Sequence, residues 1–290
     1  MALYEYNTLF NKGNKIGGIY KGGNLIWPVK KSGPDYTEPF YVENTTNANE
    51  TLSIKKSASD ALTLTIEYST DKTNWSTLGT TSTTALTKTL TPGDKVYLRC
   101  NTNAWANSNR NVISGTRKVG GNIMSLLYGS NFTGQETSLP DRECFKYLFY
   151  NNTRLVDASK LLLPATTLKA SCYERMFQGC TSLTTAPALP AANTLPGSCY
   201  NRMFLDCKSL TTAPTLPAAK LSSGGYNNMF NGCTSLNEIT CFAKSKINYL
   251  NSTANWVSGV AATGTFYKKA GVSWPTGVNG IPSGWTVIEV

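Results

Sequence analysis

The sequence contains no histidine among its 290 residues. Histidine is the commonest general base near neutral pH and a frequent zinc ligand, so its absence argues against many hydrolytic and metal-dependent reactions. The eight cysteines include no C-x-x-C pair, which removes the other usual zinc-binding pattern. We therefore expect neither a metal ion nor an organic cofactor.

Catalytic motifs are also missing. No G-x-S-x-G elbow, Walker loop or Rossmann fingerprint occurs. Asp141 and Glu143 form a carboxylate pair of the kind that glycoside hydrolysis uses. They lie where a series of repeats begins, and we expect them to cap the first repeat helix instead. The sequence thus favours a protein that is not an enzyme over a carbohydrate-active enzyme.

Charged residues make up only 15% of the chain, and the formal net charge is +10. Lys and Arg are scattered and form no basic run interleaved with aromatic residues, so we expect no nucleic-acid partner. The positive charge fits attraction to an acidic surface, such as a bacterial envelope, equally well.

Long apolar runs are absent too. No stretch approaches the roughly 20 residues that a membrane-spanning helix needs. The N-terminus has neither the basic nor the apolar region of a signal peptide. We expect no membrane span and no export by the usual bacterial route.

Residues 1–29 contain short apolar runs separated by glycine turns. A Gly-Gly pair follows Lys21, a pattern typical of a two-residue hairpin turn. A meander of about 30 residues cannot bury enough surface to be stable alone. It should therefore dock on its own chain or on a partner protein. The side chains expected at a partner interface are Tyr20, Leu25, Ile26 and Trp27.

Residues 40–118 follow a linker at 30–39 and alternate with period two. Leu64 and Ile66 are separated by Thr65, and a Thr-Pro-Gly-Asp turn precedes a further alternating run. Short strands at such spacing predict a small β-sandwich. The segment EYSTDKTNWSTL is similar to a hairpin of fibronectin-III-like and carbohydrate-binding sandwiches. We favour a spacer domain without a ligand.

One motif recurs four times between residues 144 and 241. Its Met-Phe position is occupied by Leu148, Met176, Met203 and Met229, at steps of 28, 27 and 26 residues. This period indicates a repeat protein in which each unit buries its apolar face by stacking on the next.

Each repeat combines two patterns. In the second copy Tyr173, Met176, Phe177 and Cys180 fall at i, i+3, i+4 and i+7, which predicts one face of a short helix. The following Leu-Thr-Thr-Ala-Pro run predicts a short strand that ends at Pro187. One helix and one strand per repeat is the anatomy of a leucine-rich repeat.

The motif MF-x-x-C-x-S-L-T-x-A-P-x-L-P-A stands at residues 176–191 and 203–218. It resembles the BspA-like leucine-rich repeats of surface proteins of gut bacteria and of proteins of their tailed phages, over roughly a third of the chain. The N-terminal GGIYKGGNLIWP resembles short leader segments of phage virion proteins. The resemblance implies adhesion without catalysis. It also implies a C-terminal cap in which the last repeat is covered by Trp256, Phe266, Trp274 and Trp285.

The cysteines leave two arrangements open. Asn152 occupies the position that cysteine fills in three later copies, and both residue types can satisfy backbone groups in a turn. We favour a row of buried, reduced thiols. The alternative is a disulfide within each C-x7-C pair, namely Cys172 with Cys180 and Cys199 with Cys207.

Exposed positions of the predicted strands form the candidate ligand-binding surface. Thr184, Thr211 and Asn237 occupy equivalent positions. Of these residues and the ones that follow them, one set should face the core and the other solvent. Arg175 and Arg202 recur on the predicted helical side and form a second candidate, unless they are merely solvated. A narrow polar strip of this kind suits a short glycan or a protein loop.

The sequence as a whole predicts a mainly β fold with short helices. Its parts are an N-terminal β docking segment (1–29), a β-sandwich (40–118), a short leucine-rich-repeat solenoid (119–241) and a cap (242–290). The predicted function is that of a virion protein, a phage fibre or decoration protein that binds other virion proteins and a host surface protein or glycan. A homo-oligomer is compatible with this role. The alternative is a bacterial cell-surface adhesin.

Overall fold

The computed structural model describes residues 34–56, 63–100 and 111–290, together with the backbone of four short strands before residue 28. The chain divides into two compact units, Met1–Asp35 and Tyr36–Val290.

The first unit contains two antiparallel strand pairs. Its strands are β1 (Phe10–Asn11), β2 (Asn14–Lys15), β3 (Ile19–Lys21) and β4 (Asn24–Trp27). β1 pairs with β2, and β3 pairs with β4. Lys21 stands opposite Asn24, which confirms the predicted hairpin. The two glycines of its turn lie outside the described residues.

The second unit begins with the elements that residues 40–122 form. In chain order these strands are β5 (Tyr41–Glu43), β6 (Glu50–Lys56), β7 (Thr65–Ser69), β8 (Ser76–Thr80), β9 (Leu86–Leu90), β10 (Lys95–Cys100), β11 (Asn111–Ser114) and β12 (Lys118–Asn122). They are followed by α1 (Ser125–Tyr128), a single helical turn at 129–131, and β13 (Asp157–Leu162).

These strands belong to two sheets. One has six strands in the order β13-β12-β5-β10-β7-β8, and the other has three in the order β11-β6-β9. In β10 the side chains of Val96, Leu98 and Cys100 are buried as predicted, and Tyr97 between them is buried as well. Leu52 and Ile54 of β6 are buried in the same hydrophobic core. Period-two patterning therefore predicted these strands correctly.

β12 connects the sheet region to the repeats. It pairs antiparallel with β5 on one side and parallel with β13, which belongs to the first repeat, on the other. Glu50 of β6 supports the same junction, because its Oε1 atom lies 3.1 Å from Arg117 Nε and 2.8 Å from Arg154 Nη2. The two parts predicted as separate domains thus share one sheet, within a single compact unit.

The repeats themselves are built from turns. Each copy contains a run of consecutive turns where the sequence predicted a helix, and we call these the turn segments: 143–152, 171–180, 198–207 and 224–233. The helix prediction is wrong because every fourth residue has a positive φ, as at Ser171 (54°), Arg175 (56°) and Gly179 (75°). An α-helix requires a negative φ at each residue and cannot include them.

Successive amides in a turn segment donate in two directions. The amide of Met176 donates to the carbonyl of Tyr173 in its own segment, at 3.2 Å. The amide of Phe177 donates to the carbonyl of Met203 in the next segment, at 2.9 Å. The same alternation continues through the four segments. Each segment therefore satisfies half of its donors through its neighbour, and stacking replaces the internal hydrogen bonds of a helix.

A four-residue period also explains the misleading sequence pattern. Cys172, Tyr173, Met176, Phe177 and Cys180 are all completely buried. In a turn segment two residues in every four point inward. Over only nine residues this pattern looks the same as the apolar face of a helix, which has 3.6 residues per turn. The spacing of apolar residues alone therefore could not distinguish a run of turns from a helix.

Aromatic rings form two rows through the stacked segments. Ring centroids in the first row are 5.8, 5.8 and 6.2 Å apart, and the row comprises Phe145, Tyr173, Tyr200 and Tyr226. Centroids in the second row are 5.2, 5.4 and 5.7 Å apart, and the row comprises Phe149, Phe177, Phe204 and Phe230. Offset-stacked rings at such distances stabilise a core beyond their buried area.

A fifth turn segment, at 251–260, completes the stack. Asn251, Asn255 and Gly259 have positive φ at the same four-residue spacing, and the amide of Phe230 donates to the carbonyl of Trp256. The indole ring of Trp256 contacts Tyr226 as well as Phe230, at centroid distances of 5.9 and 6.2 Å. Both aromatic rows therefore end on one side chain.

The C-terminal residues form a small sheet and an aromatic cluster. Here β14 (Glu238–Cys241), β15 (Thr265–Lys268) and β16 (Thr286–Glu289) form a parallel sheet in that order. Trp256, Phe266 and Trp274 pack against one another, and they and Trp285 are buried. That these residues act as a cap stays a prediction. The fold is mainly β, which confirms the coarse prediction of fold class.

Helices are short throughout the part of the chain that the structure describes. α1 has four residues, and single helical turns occupy 129–131 and 249–251. No described helix is both long and apolar enough to cross a membrane.

Candidate functional site

The predicted binding strip lies on exposed surface. Thr184, Thr211 and Asn237 are all exposed, each one position after a leucine whose side chain is completely buried. The buried leucine anchors the backbone to the core at this point in each of these repeats. The polar residue that follows it is consequently placed at the surface.

The expectation that the two neighbouring positions would point in opposite directions is wrong. Thr185 and Thr212 are exposed beside Thr184 and Thr211, whereas Glu238 is half-buried. The physical reason is that the second and third repeats form isolated bridges here, whereas the fourth has the regular strand β14. Without continuous pairing the backbone is not held in a pleat, so side chains need not alternate.

Backbone pairing along this surface is discontinuous. Asp157 bridges to Thr185, and Thr212 bridges to Glu238, but no bridge joins Thr185 to Thr212 in the fully described stretch 111–290. Asn237 is held through its backbone, because its amide donates to the carbonyl of Thr211 at 2.9 Å. The strip is therefore a row of short, separately anchored surface positions.

The hydroxyl of Thr184 is partly engaged within the protein. Its Oγ1 atom lies 3.0 Å from the carbonyl oxygen of Val156 and 3.4 Å from Oγ1 of Thr185. One lone pair of the Thr184 hydroxyl and the exposed Thr185 hydroxyl remain suited to a polar ligand. The strip can offer hydrogen bonds without an enclosing pocket.

The two candidate arginines occupy equivalent positions in neighbouring turn segments. The amide of Arg175 donates to Asn201, immediately before Arg202, and both arginines have positive φ. The guanidinium of Arg175 lies 5.4 Å above the Tyr147 ring and 3.5 Å from the Glu174 carboxylate. Arg175 is thus held against the protein, and both side chains are half-buried. The structure does not bring either arginine together with the threonine strip.

The carboxylate pair Asp141 and Glu143 does not cap a helix, since a turn segment begins there. Asp141 Oδ1 accepts a hydrogen bond from the amide of Arg142 at 2.7 Å. Glu143 Oε1 lies 3.2 Å from Lys146 Nζ. These contacts give both carboxylates local structural partners.

A row of thiols is buried inside the repeats. The thiol groups of Cys180, Cys207 and Cys233 donate to carbonyls of the preceding turn segment at 3.1, 3.1 and 3.0 Å. Asn152 holds the same position in the first segment and donates to the carbonyl of Thr116 at 3.5 Å. The prediction that Asn and Cys can occupy the same position is confirmed, because both side chains donate a hydrogen bond to a backbone carbonyl there.

All eight cysteines are buried and unbonded to one another. The sulfur of Cys172 lies 3.1 Å from that of Cys199, one repeat away, and not beside Cys180 as the disulfide alternative required. Burial raises the pKa of the Cys144 and Cys241 thiols to about 12. Such thiols stay protonated at neutral pH and are poor nucleophiles.

Some predicted residues lie beyond what the structure describes. Tyr20 belongs to β3, and Leu25, Ile26 and Trp27 belong to β4, but their side chains lie outside the described part of the chain. Partner docking through them stays a prediction.

Sequence reasoning missed the fifth turn segment. Its apolar residues differ from those of the other copies, because Trp256 takes the place of methionine. The available signal was the spacing of Asn251, Asn255 and Gly259, which repeats the four-residue spacing of Gly224, Asn228 and Gly232.

Among the described residues, no group of three or more Cys, Asp or Glu side chains is placed to hold a metal ion. No protein-family model, curated protein or solved structure matches the chain.

Proposed function

We propose that this chain is an adhesion protein of a phage virion, a fibre or decoration protein that is not an enzyme and that presents a leucine-rich-repeat surface to a host glycan or protein. In this proposal residues 40–118 act as a β-sandwich stalk, and the repeats form a capped solenoid. The N-terminal segment attaches the chain to other virion proteins.

One observation carries the proposal. The repeats place Thr184, Thr185, Thr211, Thr212 and Asn237 at the surface, where they follow the fully buried leucine of their repeat. These side chains are uncharged and small, and they lie at successive levels of the stack. Such a surface can hydrogen-bond to a partner without a deep cavity, and this is the kind of contact that an adhesion protein needs.

The repeat backbone supports the same role. Stacked turn segments and buried aromatic rows give a rigid frame, because every segment is hydrogen-bonded to the next. Binding groups on a rigid frame lose less entropy when a partner binds. The buried thiols suit assembly in a reducing cytoplasm, where virion proteins are made.

The binding surface can be tested with the full-length protein. Fluorescently labelled protein would be mixed with intact bacterial cells, and bound protein would be measured by flow cytometry. The variant Thr184→Arg/Thr211→Arg/Asn237→Arg should lower cell binding by about tenfold, because long charged side chains block a flat polar contact. A matched control is Thr77→Arg/Thr87→Arg/Thr89→Arg, on exposed positions of β8 and β9. Equal binding of both variants would contradict the proposed surface.

The attachment site can be tested separately. Mass spectrometry of purified phage particles should detect the chain, and deletion of residues 1–29 should remove it from them. Recovery in a bacterial outer-membrane fraction instead would favour the alternative, a bacterial cell-surface adhesin.

A further inference from the structure

A cleft of about 290 Å³ lies in the second unit, away from the threonine strip. The side chains that matter for its chemistry belong to Thr37, Pro39, Lys72, Trp75, Arg99 and Phe132. Lys72 and Trp75 come from the turn between β7 and β8, Arg99 comes from β10, and Phe132 follows the helical turn at 129–131. Four separate stretches of chain therefore meet at one cavity.

The turn that carries Lys72 and Trp75 is held firmly by Asp71. Asp71 Oδ1 accepts hydrogen bonds from the amides of Thr73 and Asn74, at 2.9 and 2.7 Å. Its Oδ2 atom accepts another from Asn74 Nδ2 at 2.7 Å. These donors, those of Asn74 first, lower the pKa of Asp71 well below its usual range. The negative charge of Asp71 is thus engaged in shaping the turn.

Trp75 is fixed on two sides. Its Nε1 atom donates to the carbonyl of Lys72 at 3.1 Å. The Arg99 guanidinium carbon lies 4.2 Å from the centre of the indole ring, and Arg99 Nε donates to Glu67 Oε2 at 2.8 Å. A half-buried indole with a stacked cation offers a preorganised apolar surface for a ligand.

The two cations that line the cleft differ in their partners. Arg99 is paired with Glu67. Asp71 keeps its negative charge, but its two oxygens accept hydrogen bonds from donors of its own turn. Within the described residues, no carboxylate lies within 4.0 Å of the Lys72 ammonium group, which is 5.7 Å from the centre of the Tyr97 ring. Among the described residues, Lys72 is therefore a cation of the cleft without a carboxylate in direct contact, and it lies in the same turn as the indole ring of Trp75.

We propose that this cleft binds a sugar that carries a carboxylate, such as a uronic acid unit of a glycan. The apolar faces of Trp75, Pro39 and Phe132 suit the C–H face of a pyranose ring, and Lys72 supplies the charge that a carboxylate needs. The volume lies just below the roughly 300–1,000 Å³ of drug-sized pockets, which favours a single sugar unit. This site is separate from the repeat surface, and its failure would leave that proposal standing.

The test is isothermal titration calorimetry of the full-length protein with methyl β-D-glucuronide, and with methyl β-D-glucoside as the neutral counterpart. The glucuronide should bind about tenfold more tightly, because only it gains the contact with Lys72. Equal affinity for the two sugars would overturn the proposal. Equal affinity for sodium acetate and the glucuronide would also overturn it, since a sugar ring would then contribute nothing.

Two variants locate the site. Lys72→Gln should remove the preference for the glucuronide, and Trp75→Ala should weaken binding of both sugars by about tenfold or more. The control Lys55→Gln removes the same charge from an exposed position on β6 and should leave both affinities unchanged. Thermal unfolding of each variant shows that it is folded. If Lys72→Gln binds as the unchanged protein does, the cleft is not the site.

Discussion

Backbone hydrogen bonds have different kinds of partner in the sheet region, at residues 36–122, and in the turn segments. In the sheet region, strands pair with partners of unrelated sequence, and opposite charges often face each other, as do Arg99 and Glu67. In the turn segments, alternate amides donate to the next segment, and like side chains stack on like, as Phe177 does on Phe204. Like charges could not stack in this way, so the buried rows are aromatic, thioether and thiol groups.

This difference shows which parts of the protein can accommodate charged side chains. The sheet region carries ion pairs such as Lys118–Glu43 and Lys95–Glu38. The interior of the repeats holds seven of the eight cysteines, and its completely buried side chains carry no charge. Conditions that create charge inside the repeats should therefore act on them far more strongly than on the sheets.

The largest expected effect is unfolding at alkaline pH. Burial raises the pKa of the Cys144 and Cys241 thiols to about 12, and it also raises the pKa of the thiols of Cys180, Cys207 and Cys233. An unfolded thiol has a pKa of about 8.5. The unfolded state therefore releases protons first as the pH rises, and stability falls from about pH 8.5 towards pH 12.

Each of these thiols should remove about 1.4 kcal/mol per pH unit in this window. Urea unfolding followed by circular dichroism at pH 8 and pH 10 measures the loss. The variant Cys144→Ala/Cys241→Ala is the control, and its free energy of unfolding should fall less steeply with pH. An unchanged free energy of unfolding between pH 8 and pH 10 would contradict the buried thiol row.

A smaller effect is expected from a methyl group at two glycines with positive φ. Gly179 has φ of 75°, and an added Cβ would lie 2.0 Å from Asn151 Oδ1 in the preceding turn segment. Gly93 in the sheet region has φ of 85° and no atom within 4 Å of that position. Gly93→Ala should cost about 1–2 kcal/mol for backbone strain alone. Gly179→Ala should cost about 1–2 kcal/mol more, from crowding between segments.

Thermal and urea unfolding of the two variants measure this difference. The double variant Gly179→Ala/Asn151→Gly removes the crowding atom and should recover the extra cost. Equal costs for Gly93→Ala and Gly179→Ala would show that the turn segments are less tightly stacked than the structure indicates.

The smallest effect distinguishes two buried tyrosines. The hydroxyl of Tyr200 is buried in the repeats and has no hydrogen-bond partner among the described residues, whereas the hydroxyl of Tyr97 donates to Glu38 at 3.2 Å. Tyr200→Phe should leave stability unchanged or raise it slightly, and Tyr97→Phe should lower it by about 0.5–1.5 kcal/mol. Chemical denaturation of both variants provides the comparison. A larger loss for Tyr200→Phe would reveal a partner for that hydroxyl.

Period-two patterning and turn residues located β7 and β10, and the repeat spacing located the buried rows. The same spacing identified the exposed positions of Thr184 and Thr211. The sequence could not predict that Lys72 and Trp75 line one cleft with Arg99 and Phe132, because these residues are far apart in the chain. Their proximity results from strand order, which local sequence does not encode.

The sequence by itself determined which residues of each repeat are inside, because an apolar residue at a fixed position is buried whatever local backbone carries it. Only the tertiary structure decided that the backbone there is a run of turns with positive φ and not a helix. The physical reason lies in the hydrogen bonds: a helix satisfies its amides locally, whereas these segments send alternate amides to the next repeat. The turn conformation therefore depends on the presence of the next repeat. A stretch of nine residues does not include that repeat, so its sequence alone cannot determine the conformation.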